Sequence, residues 1–434
     1  MTTDRTFIDV FGGCGGLSLG LMQAGWEGLF AIEADKFAFE SLKANLIGDE
    51  ARFQYNWPSW LKKEPCEVSK FIKEHREHLE QLAGKVTLIT GGPPCQGFSL
   101  AGRRKKNDPR NQLFRHYLEI VRIVRPPLLF FENVRGVSVE FGKKQRKGAE
   151  GRGRKPIPFS VKIQQKLQAM GYKVVPTLVR ASDYGVPQWR PRYIMIAIDR
   201  ALLTDEEDFD PFVWLKEIRN VFLRAKRLPT KRDVSVKEAI SDLELKGKEI
   251  VPCEDTKGYN RIKYEKPQTH YQKLLHQDLN GTPLDSMRIV KHTAPVRDRF
   301  KKILATARRG VQLNRKTRES FGTKKMCIVP LNPGKPSHTL TSLPDDLIHY
   351  SEPRILTARE YARLQSFPDW FSFRGKYSTG GDKRVRECPR YTQIANAVPP
   401  FLAEVIGLLL ARVVDELGSG KKTVNRGRRK GPRS

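Results

Sequence analysis

A cysteine in a rigid loop is the first residue of this chain that could do chemistry. Cys95 stands in the run GGPPCQGFS, residues 91–99, directly after the strand-like run VTLIT. An unpaired cysteine is usually a small buried hydrophobe, but a Pro-Pro turn ringed by glycines at a strand end presents its side chain to the surroundings. A presented thiol is a candidate nucleophile, so the sequence predicts covalent catalysis at Cys95.

A glycine-rich turn near the N-terminus is the second candidate. The run DVFGGCGGL, residues 9–17, follows an apolar strand and precedes a helical pattern, so its backbone is expected to approach a ligand closely. Ser18 stands where a GxGxxG motif starting at Gly13 needs glycine, which disfavours a dinucleotide. Glu33 ends the next strand-like run, 20 positions after Gly13, where a carboxylate accepts both ribose hydroxyls. An adenosyl group fits this spacing, and a helix-capping or surface glutamate is the alternative.

Both loops need a scaffold of alternating strands and helices. The apolar runs TFIDVF, GLFAIEA, VTLITGG, PLLFFENV and YIMIAI predict strands, and LSLGLMQAG, a segment through Phe39 and Leu42, and YLEIVRIV predict helices. Runs that are buried on both faces are typical of parallel strands covered by helices. We therefore expect an α/β fold with a doubly wound, mostly parallel sheet, whose ligands bind beyond the carboxyl ends of the strands.

The charge of the chain predicts a polyanionic partner. Lysine and arginine number 79 against 48 aspartates and glutamates, a net charge of +31. Counterion release from phosphates rewards such a surface, so nucleic acid is the expected partner, and no membrane is expected. A merely soluble basic protein is the alternative. Four cations beside the cysteine loop are expected to grip phosphates, with a solvated charge run as the alternative: Arg103, Arg104, Lys105 and Lys106.

Several further motifs occur in a fixed order along the chain. They are ENV at 132–134, QWRPR at 188–192, RILTAREYARLQ at 354–365 and QIANAVP at 393–399. With the two loops, this series resembles the DNA cytosine C5 methyltransferases of the restriction-modification type. The resemblance spans Asp9 to Pro399 and leaves uncovered mainly the middle of the chain, a basic insert and the tail.

The resemblance implies a Rossmann-like catalytic domain that uses S-adenosylmethionine as methyl donor, without a metal. It implies that Cys95 adds to C6 of a cytosine flipped out of double-stranded DNA and that Glu132 donates a proton at N3. Arg192 would hold the cytosine carbonyl oxygen and Arg190 would brace the site or a phosphate, with an exchange of the two roles left open. The implied cofactor contacts are Phe11, Gly13, Cys14, Gly16, Leu17, Glu33, Asn56, Pro93, Leu113, Asn396 and Val398. Gln96 and Ser99 are implied DNA contacts.

Two positions depart from the family pattern. Asn56 stands where an aspartate usually binds the adenine amino group, so cofactor binding there would lack charge assistance. Ala395 replaces a customary glycine before Asn396 and would slightly alter that turn. Neither change touches the proposed chemistry.

The expected domains follow these motifs. Residues 1–200 and 388–417 form the catalytic domain, with a basic insert at about 142–158. Residues 201–387, where basic and aromatic residues accumulate, form a smaller DNA-recognition domain and hinge. The segment 418–434 holds seven basic and no acidic residues after Gly420 and is expected to be a disordered electrostatic tail.

Cysteine usage and the chain ends predict a cytoplasmic protein, nucleoid-associated if the source is bacterial. Six scattered cysteines without a CxxC pair do not form a disulfide framework, and the N-terminus shows no export signal. The apolar run 401–417 carries four charged residues and is interpreted as too short and too charged to span a bilayer, hence as a helix packed on the domain.

Three other functions are alternatives to this interpretation of the sequence. A tRNA-methylating branch shares the catalytic machinery but typically lacks Gln-Gly-Phe-Ser after the nucleophile. A catalytically silent DNA-binding protein would not need Cys95, Glu132 and Arg192 together. An oxidoreductase leaves the cysteine loop unexplained. Monomeric action is expected by resemblance, and the target sequence, the base that removes the C5 proton and a separately acting restriction endonuclease stay open.

Overall fold

The fold was analysed in a computed structural model that describes residues 4–92, 113–134, 136, 158–204, 209–279, 281–378 and 387–418. The predicted basic insert and basic tail lie almost wholly outside these residues. The strands are β1 Thr6–Val10, β2 Glu27–Ile32, β3 Leu88–Gly91, β4 Leu128–Val134, β5 Tyr172–Arg180, β6 Pro191–Asp199, β7 Ile250–Pro252, β8 Asn260–Ile262, β9 Val329–Pro330 and β10 Leu347–Ile348. The α-helices are α1 Gly16–Gln23, α2 Lys36–Leu46, α3 Val68–Glu74, α4 Arg76–Gln81, α5 Leu113–Val124, α6 Phe159–Ala169, α7 Leu215–Ala225, α8 Val236–Ile240, α9 His270–His276, α10 Ala294–Thr306, α11 Arg315–Ser320, α12 Ala358–Leu364, α13 Arg390–Asn396 and α14 Pro400–Gly418.

A six-stranded sheet in the order β2-β1-β3-β4-β6-β5 forms the centre of the fold. The first four strands are parallel, and β6 runs antiparallel to both of its neighbours. The α/β prediction and the five predicted strands are confirmed. The strand β5 was not predicted, since its buried residues do not form a continuous apolar run and Pro176 interrupts it. Proline is tolerated there because β5 is an edge strand.

Helices cover both faces of the sheet. Alternate residues of each strand enter one of two apolar clusters, as Phe7 and Leu88 do on one face and Ile8 and Ile89 on the other. On the first face lie α1, α2 and α14, and on the second lie α3, α5 and α6. This arrangement is the doubly wound architecture that the sequence predicted.

The last helix packs directly against the first. A Cβ on Gly20 would lie 2.3 Å from the Ala403 Cβ, and one on Gly407 would lie 2.6 Å from the Ala24 Cβ. Trp26 adds a hydrogen bond from its Nε1 to the Gly407 carbonyl, 2.9 Å long. Glycine is therefore required at both positions, because α1 and α14 approach too closely for side chains.

The predicted helix at 401–417 is confirmed, but the interpretation that it is too short and too charged to span a membrane needs correction. Within the described residues, the helical stretch Arg390–Gly418 is long and apolar enough by length and composition alone. Of its most apolar window, 78 % is buried inside the fold. The apolarity is explained by packing against α1, since a helix in a protein core carries apolar residues on most of its circumference.

The region 209–378 carries short elements and shares the core of the sheet. Phe222, Tyr271 and Phe371 belong to the same cluster as Phe7 of β1. Two smaller clusters lie within the region itself, one centred on Phe300 and Ile303 of α10. The predicted division into a catalytic and a recognition domain therefore stays a prediction.

Candidate functional site

The carboxyl edge of the sheet carries the side chains that the sequence singled out. The glycine loop follows β1, Glu33 follows β2, Gly92 follows β3 and Glu132 lies near the end of β4. Since β6 is antiparallel to β4, its first residues lie at this edge as well, and Arg192 pairs with Val134. Parallel strands thus bring residues far apart in sequence to one edge.

An ion pair between Glu132 and Arg192 is the polar centre of this edge. The Arg192 Nε lies 2.7 Å from Glu132 Oε1, and the Arg192 Nη1 donates to the Pro191 carbonyl at 2.8 Å. The residues are 9 % and 6 % exposed. Burial lowers the pKa of Arg192, and the Glu132 carboxylate opposes this shift. The pair is thus enclosed but still within reach of a ligand at the edge.

The chain that leads to the cysteine loop passes against Glu132. A Cβ on Gly92 would lie 2.7 Å from the Glu132 carbonyl oxygen and 3.3 Å from its Oε2, so a larger residue would displace the carboxylate. Cys95 follows in the same run of sequence but lies outside the described residues. The other predicted site residues outside the described residues are Pro93, Gln96, Ser99, Arg103, Arg104, Lys105 and Lys106.

Arg190 is buried and hydrogen-bonds the turn after α13. It is 1 % exposed, and its Nη2 donates to the carbonyls of Ala395 at 2.7 Å and Ala397 at 3.0 Å. Burial lowers the pKa of Arg190, and the nearby Arg192 adds to this shift. The phosphate contact that the sequence left open is therefore wrong, because the guanidinium faces the core and supports the turn after α13.

The glycine loop is shaped by unusual backbone angles and by Glu33. Phe11, Gly13 and Gly15 all have positive φ, at 71°, 56° and 97°. Gly13 donates its backbone N–H to Glu33 Oε2 at 2.8 Å, and Asp35 donates its backbone N–H to Glu33 Oε1 at 2.7 Å. Burial raises the pKa of Glu33. Each carboxylate oxygen accepts one backbone hydrogen bond and has a further lone pair for a ligand hydroxyl, so the loop fits an adenosyl ribose.

The C-terminal motif completes the wall of the glycine loop. A Cβ on Gly16 would lie 2.5 Å from the Val398 carbonyl, and the Cys14 Sγ lies 3.7 Å from the Gln393 carbonyl. Asn396 is exposed, and Val398 is half-buried. The structure therefore brings together two predicted cofactor segments that lie at opposite ends of the chain.

The remaining predicted cofactor residues differ in what their side chains can reach. Cys14 and Leu17 are buried in the core, so only their backbone can approach a ligand. Burial raises the pKa of Cys14 to about 12, which leaves its thiol protonated at neutral pH. Phe11 and Leu113 are partly exposed and pack at the margin of the apolar cluster on the second face of the sheet.

Asn56 is not brought to this site. Its backbone N–H donates to the Gly28 carbonyl at 2.8 Å, and its side-chain amide donates to Glu27 Oε1 at 2.8 Å. Gly28 and Glu27 lie at the start of β2, five and six residues before Glu33, which corresponds to about 16 to 20 Å along a strand. The backbone N–H of Cys66 instead bonds the Glu33 carbonyl. The interpretation of Asn56 as an adenine contact therefore needs correction, because the long segment that follows it runs to the other end of the strand.

A buried polar group below the glycine loop was missed by the sequence reasoning. Asp9 accepts a hydrogen bond from the Ser18 hydroxyl, which accepts one from the Tyr55 hydroxyl at 2.6 Å. Burial raises the pKa of Asp9 to about 7. The signal was present as a single carboxylate within the otherwise apolar run TFIDVF. This chain of hydrogen bonds fixes the start of α1 beneath the loop.

Comparison with known proteins gives a consistent result. The family model described as C-5 cytosine-specific DNA methylase matches residues 5–411. The chain is 30 % identical to the type II methyltransferase M.DdeI of Desulfomicrobium norvegicum, over 92 % of this chain and 86 % of the relative. It is also 30 % identical to M.XorII of Xanthomonas oryzae pv. oryzae, over 92 % of this chain and 83 % of the relative.

Solved structures show the same fold. A prophage-encoded Escherichia coli protein, assigned as a DNA modification methyltransferase, is 26 % identical with a TM-score of 0.62, and the match covers 95 % of this chain and all of that one. The Dnmt2 methyltransferase of Schizosaccharomyces pombe is 14 % identical with a TM-score of 0.51, covering 95 % of this chain and 99 % of that one. At that identity the likeness shows the fold alone.

Proposed function

Since the chain belongs to the C-5 cytosine-specific DNA methylase family and is therefore a DNA methyltransferase, we propose that it methylates C5 of a cytosine rotated out of double-stranded DNA. In this proposal Cys95 is the nucleophile, and S-adenosylmethionine is the methyl donor. The base must leave the stack because neither face of its ring is accessible inside a duplex.

The Glu132–Arg192 pair beside Gly92 is the observation that carries the proposal. Its charges are buried, yet they lie at the edge where the strands end, next to the segment that leads to Cys95. A carboxyl group and a guanidinium held 2.7 Å apart can meet two neighbouring polar atoms of one planar ring. Cytosine offers such a pair in N3 and O2.

The chemistry follows from the weak nucleophilicity of the cytosine C5 carbon. Addition of the Cys95 thiolate would form an S–C6 bond and move an electron pair toward N3, where Glu132, in its carboxylic acid form in the complex, would supply a proton. Arg192 donates to O2 and holds the ring. C5 would then take the methyl group as its bond to the donor sulfur breaks and a thioether leaves. A base would remove the C5 proton, the S–C6 bond would break to release Cys95, and the N3 proton would return to Glu132.

The glycine loop would hold the methyl donor at the same edge. Glu33 would accept the ribose hydroxyls, and the Gly13 backbone would lie against the adenosyl group. When bound, S-adenosylmethionine supplies an electrophilic methyl group. Asn396 and Val398 would close the other side of the site, because Gly16 packs against the Val398 carbonyl.

Recognition of DNA is proposed for the region 201–387 and for the basic segments around it. Two helices of this region, α10 and α11, are rich in lysine and arginine, which suits phosphate contacts. The cations at 103–106 would hold the phosphates that flank the flipped nucleotide. The protein would act inside the cell as a monomer, and a restriction endonuclease could recognise the same sequence separately.

The test is methyl transfer with a mapped product. Tritiated S-adenosylmethionine is incubated with unmethylated genomic DNA or with tRNA, using the wild type and a Cys95→Ala variant, and modified cytosines are mapped by bisulfite sequencing. We expect label at cytosine C5 within one recurring DNA sequence and none with Cys95→Ala. Label in tRNA alone would contradict the DNA substrate, and binding of DNA without any label would favour a silent DNA-binding protein.

A further inference from the structure

An exposed tryptophan at the catalytic edge has no part in the mechanism above. Trp189 is 50 % exposed, although it lies between Gln188 and Arg190, which are 0 % and 1 % exposed. It precedes β6 by two residues, and β6 begins where β4 ends. The indole is therefore displayed just beyond the edge that carries Glu132 and Arg192.

The backbone of Trp189 is held on both sides. Its N–H donates to the Ser337 carbonyl at 2.7 Å, and its carbonyl accepts from the Thr339 Oγ1 at 2.8 Å. The amide of Gln188 is buried and accepts from the Leu340 N–H at 2.9 Å. Because the backbone is fixed before any ligand arrives, a contact made by the ring loses little conformational entropy.

An arginine covers one face of the indole. The Arg180 guanidinium carbon lies 4.1 Å from the centre of the Trp189 ring, within the range of a cation–π contact. Arg180 ends β5, pairs in register with Pro191, and is held by Asp183, with Nε 3.0 Å from Oδ1. The guanidinium thus orients the ring, half of whose residue surface remains exposed to solvent.

The surroundings of Trp189 suit a nucleobase. In the segment that pairs with it, 337–340, Ser337 and Leu340 are buried and His338 is exposed between them. Trp189, Arg180 and His338 are all planar groups, and planar side chains next to cations form the stacking platforms of nucleic-acid-binding proteins. An apolar protein partner is less suited, since the net charge of +31 of the whole chain favours a polyanion.

We propose that Trp189, capped by Arg180, stacks on a base next to the flipped cytosine and stabilises the extrahelical state. This inference rests on the proposed DNA substrate and names a contact that the reaction chemistry does not require. Trp189 is a positioning residue in this scheme, because the reacting atoms lie at Glu132, Arg192 and Cys95. The stack replaces contacts that the flanking base loses when its neighbour leaves the helix.

Loss of the indole should lower the rate of methyl transfer, and a duplex from which the cytosine rotates out more easily should restore that rate. Base–aromatic stacks measured by alanine substitution correspond to roughly 5- to 150-fold in affinity, so Trp189→Ala should lower kcat/KM by about tenfold or more. Trp189→Phe should recover most of that loss. Leu178→Ala is the matched control, because Leu178 is 53 % exposed on the edge strand β5, lies outside the region proposed for DNA recognition, and should leave kcat/KM unchanged.

The experiment uses the full-length protein and a duplex that carries the mapped target sequence. In one arm, kcat/KM is measured on a paired duplex and on one with an abasic site opposite the target cytosine; we expect Trp189→Ala to be impaired on the first and close to wild type on the second. In the other arm, 5-iodouracil next to the target is photo-crosslinked and the modified peptide is identified by mass spectrometry. Attachment at Trp189 is expected.

Two results would overturn the inference while leaving the enzyme a DNA methyltransferase. One is wild-type kcat/KM in Trp189→Ala, and the other is an equal loss on both duplexes together with no crosslink at Trp189. If the wild type transfers no methyl group to DNA, the proposed function fails instead, and crosslinking with iodouracil-substituted genomic fragments still decides whether Trp189 meets a base.

Discussion

Two regions of this molecule contain buried arginine–carboxylate pairs, and they differ in how completely the charges are satisfied. At the carboxyl edge of the sheet, the Arg192 Nε lies 2.7 Å from Glu132 Oε1, and both residues lie at the margin of the sheet. Around α12, Arg363 donates to Asp242 at 2.6 Å and to Asp369 at 2.7 Å, all within the core. The first region has hydrogen-bonding capacity left for a ligand, and the second has used most of its own.

The buried ion pairs around α12, here called the sealed region, explain why the motif at 354–365 is so polar. The run RILTAREYARLQ contains Arg354, which forks onto Glu360 with contacts of 2.7 and 2.8 Å, and Glu360 also caps the start of α12. Every residue of α12 is buried. A buried charge is tolerated only when it is paired and hydrogen-bonded, so these residues hold elements together and do not serve the reaction.

The largest difference between the two regions is expected when Glu132 is substituted. Glu132→Gln keeps the shape of the side chain but removes the proton donor, so we expect methyl transfer to fall by about 10²- to 10⁴-fold while the melting temperature changes little. Rates are measured under single-turnover conditions, with DNA affinity as the control. A variant that kept more than a tenth of the wild-type rate would contradict the assigned role.

The opposite behaviour is expected in the sealed region. Arg363→Met leaves two carboxylates buried without their partner, which should destabilise the fold by about 3–5 kcal/mol in urea unfolding, with little change in the rate per folded molecule. Arg232→Met is the matched control: this arginine pairs with Glu238 at the surface, and its loss should cost less than about 1 kcal/mol. Similar effects of the two substitutions would remove the distinction between sealed and exposed pairs.

The smallest effect is expected at the cofactor loop. Glu33→Gln retains one oxygen but loses the charge that strengthens hydrogen bonds to ribose, so affinity for S-adenosylmethionine should fall about five- to tenfold in calorimetric titration. Glu27→Gln, at the other end of β2, should leave that affinity unchanged even though it removes the charge of the side chain that accepts from Asn56. If both substitutions weakened binding equally, the start of β2 with Asn56 would belong to the cofactor site, which would contradict the placement of Asn56 away from it.

Local patterns were enough to predict much of the scaffold. Apolar runs such as VTLITGG and PLLFFENV became β3 and β4, and the order of motifs indicated the family. The spacing assigned Gly13 and Glu33 to one ribose site; a direct hydrogen bond joins the two residues, and the ribose contact itself stays a prediction. These features were readable because strand periodicity and βα turns depend mainly on residues close in the chain.

By itself the sequence determined the family and the strands of the central sheet, and the reactive residues that it indicates stay predictions. Only the tertiary structure decided which residues face the carboxyl edge of the sheet. Arg190 and Arg192 look equivalent in sequence, yet one supports the turn after α13 and the other meets Glu132. Asn56 stands at a motif position in the sequence but lies at the far end of β2. Nothing in the sequence distinguished Trp189, which lies exposed between the buried Gln188 and Arg190. The physical reason is that exposure and partnership depend on contacts between segments hundreds of residues apart, which no local periodicity records.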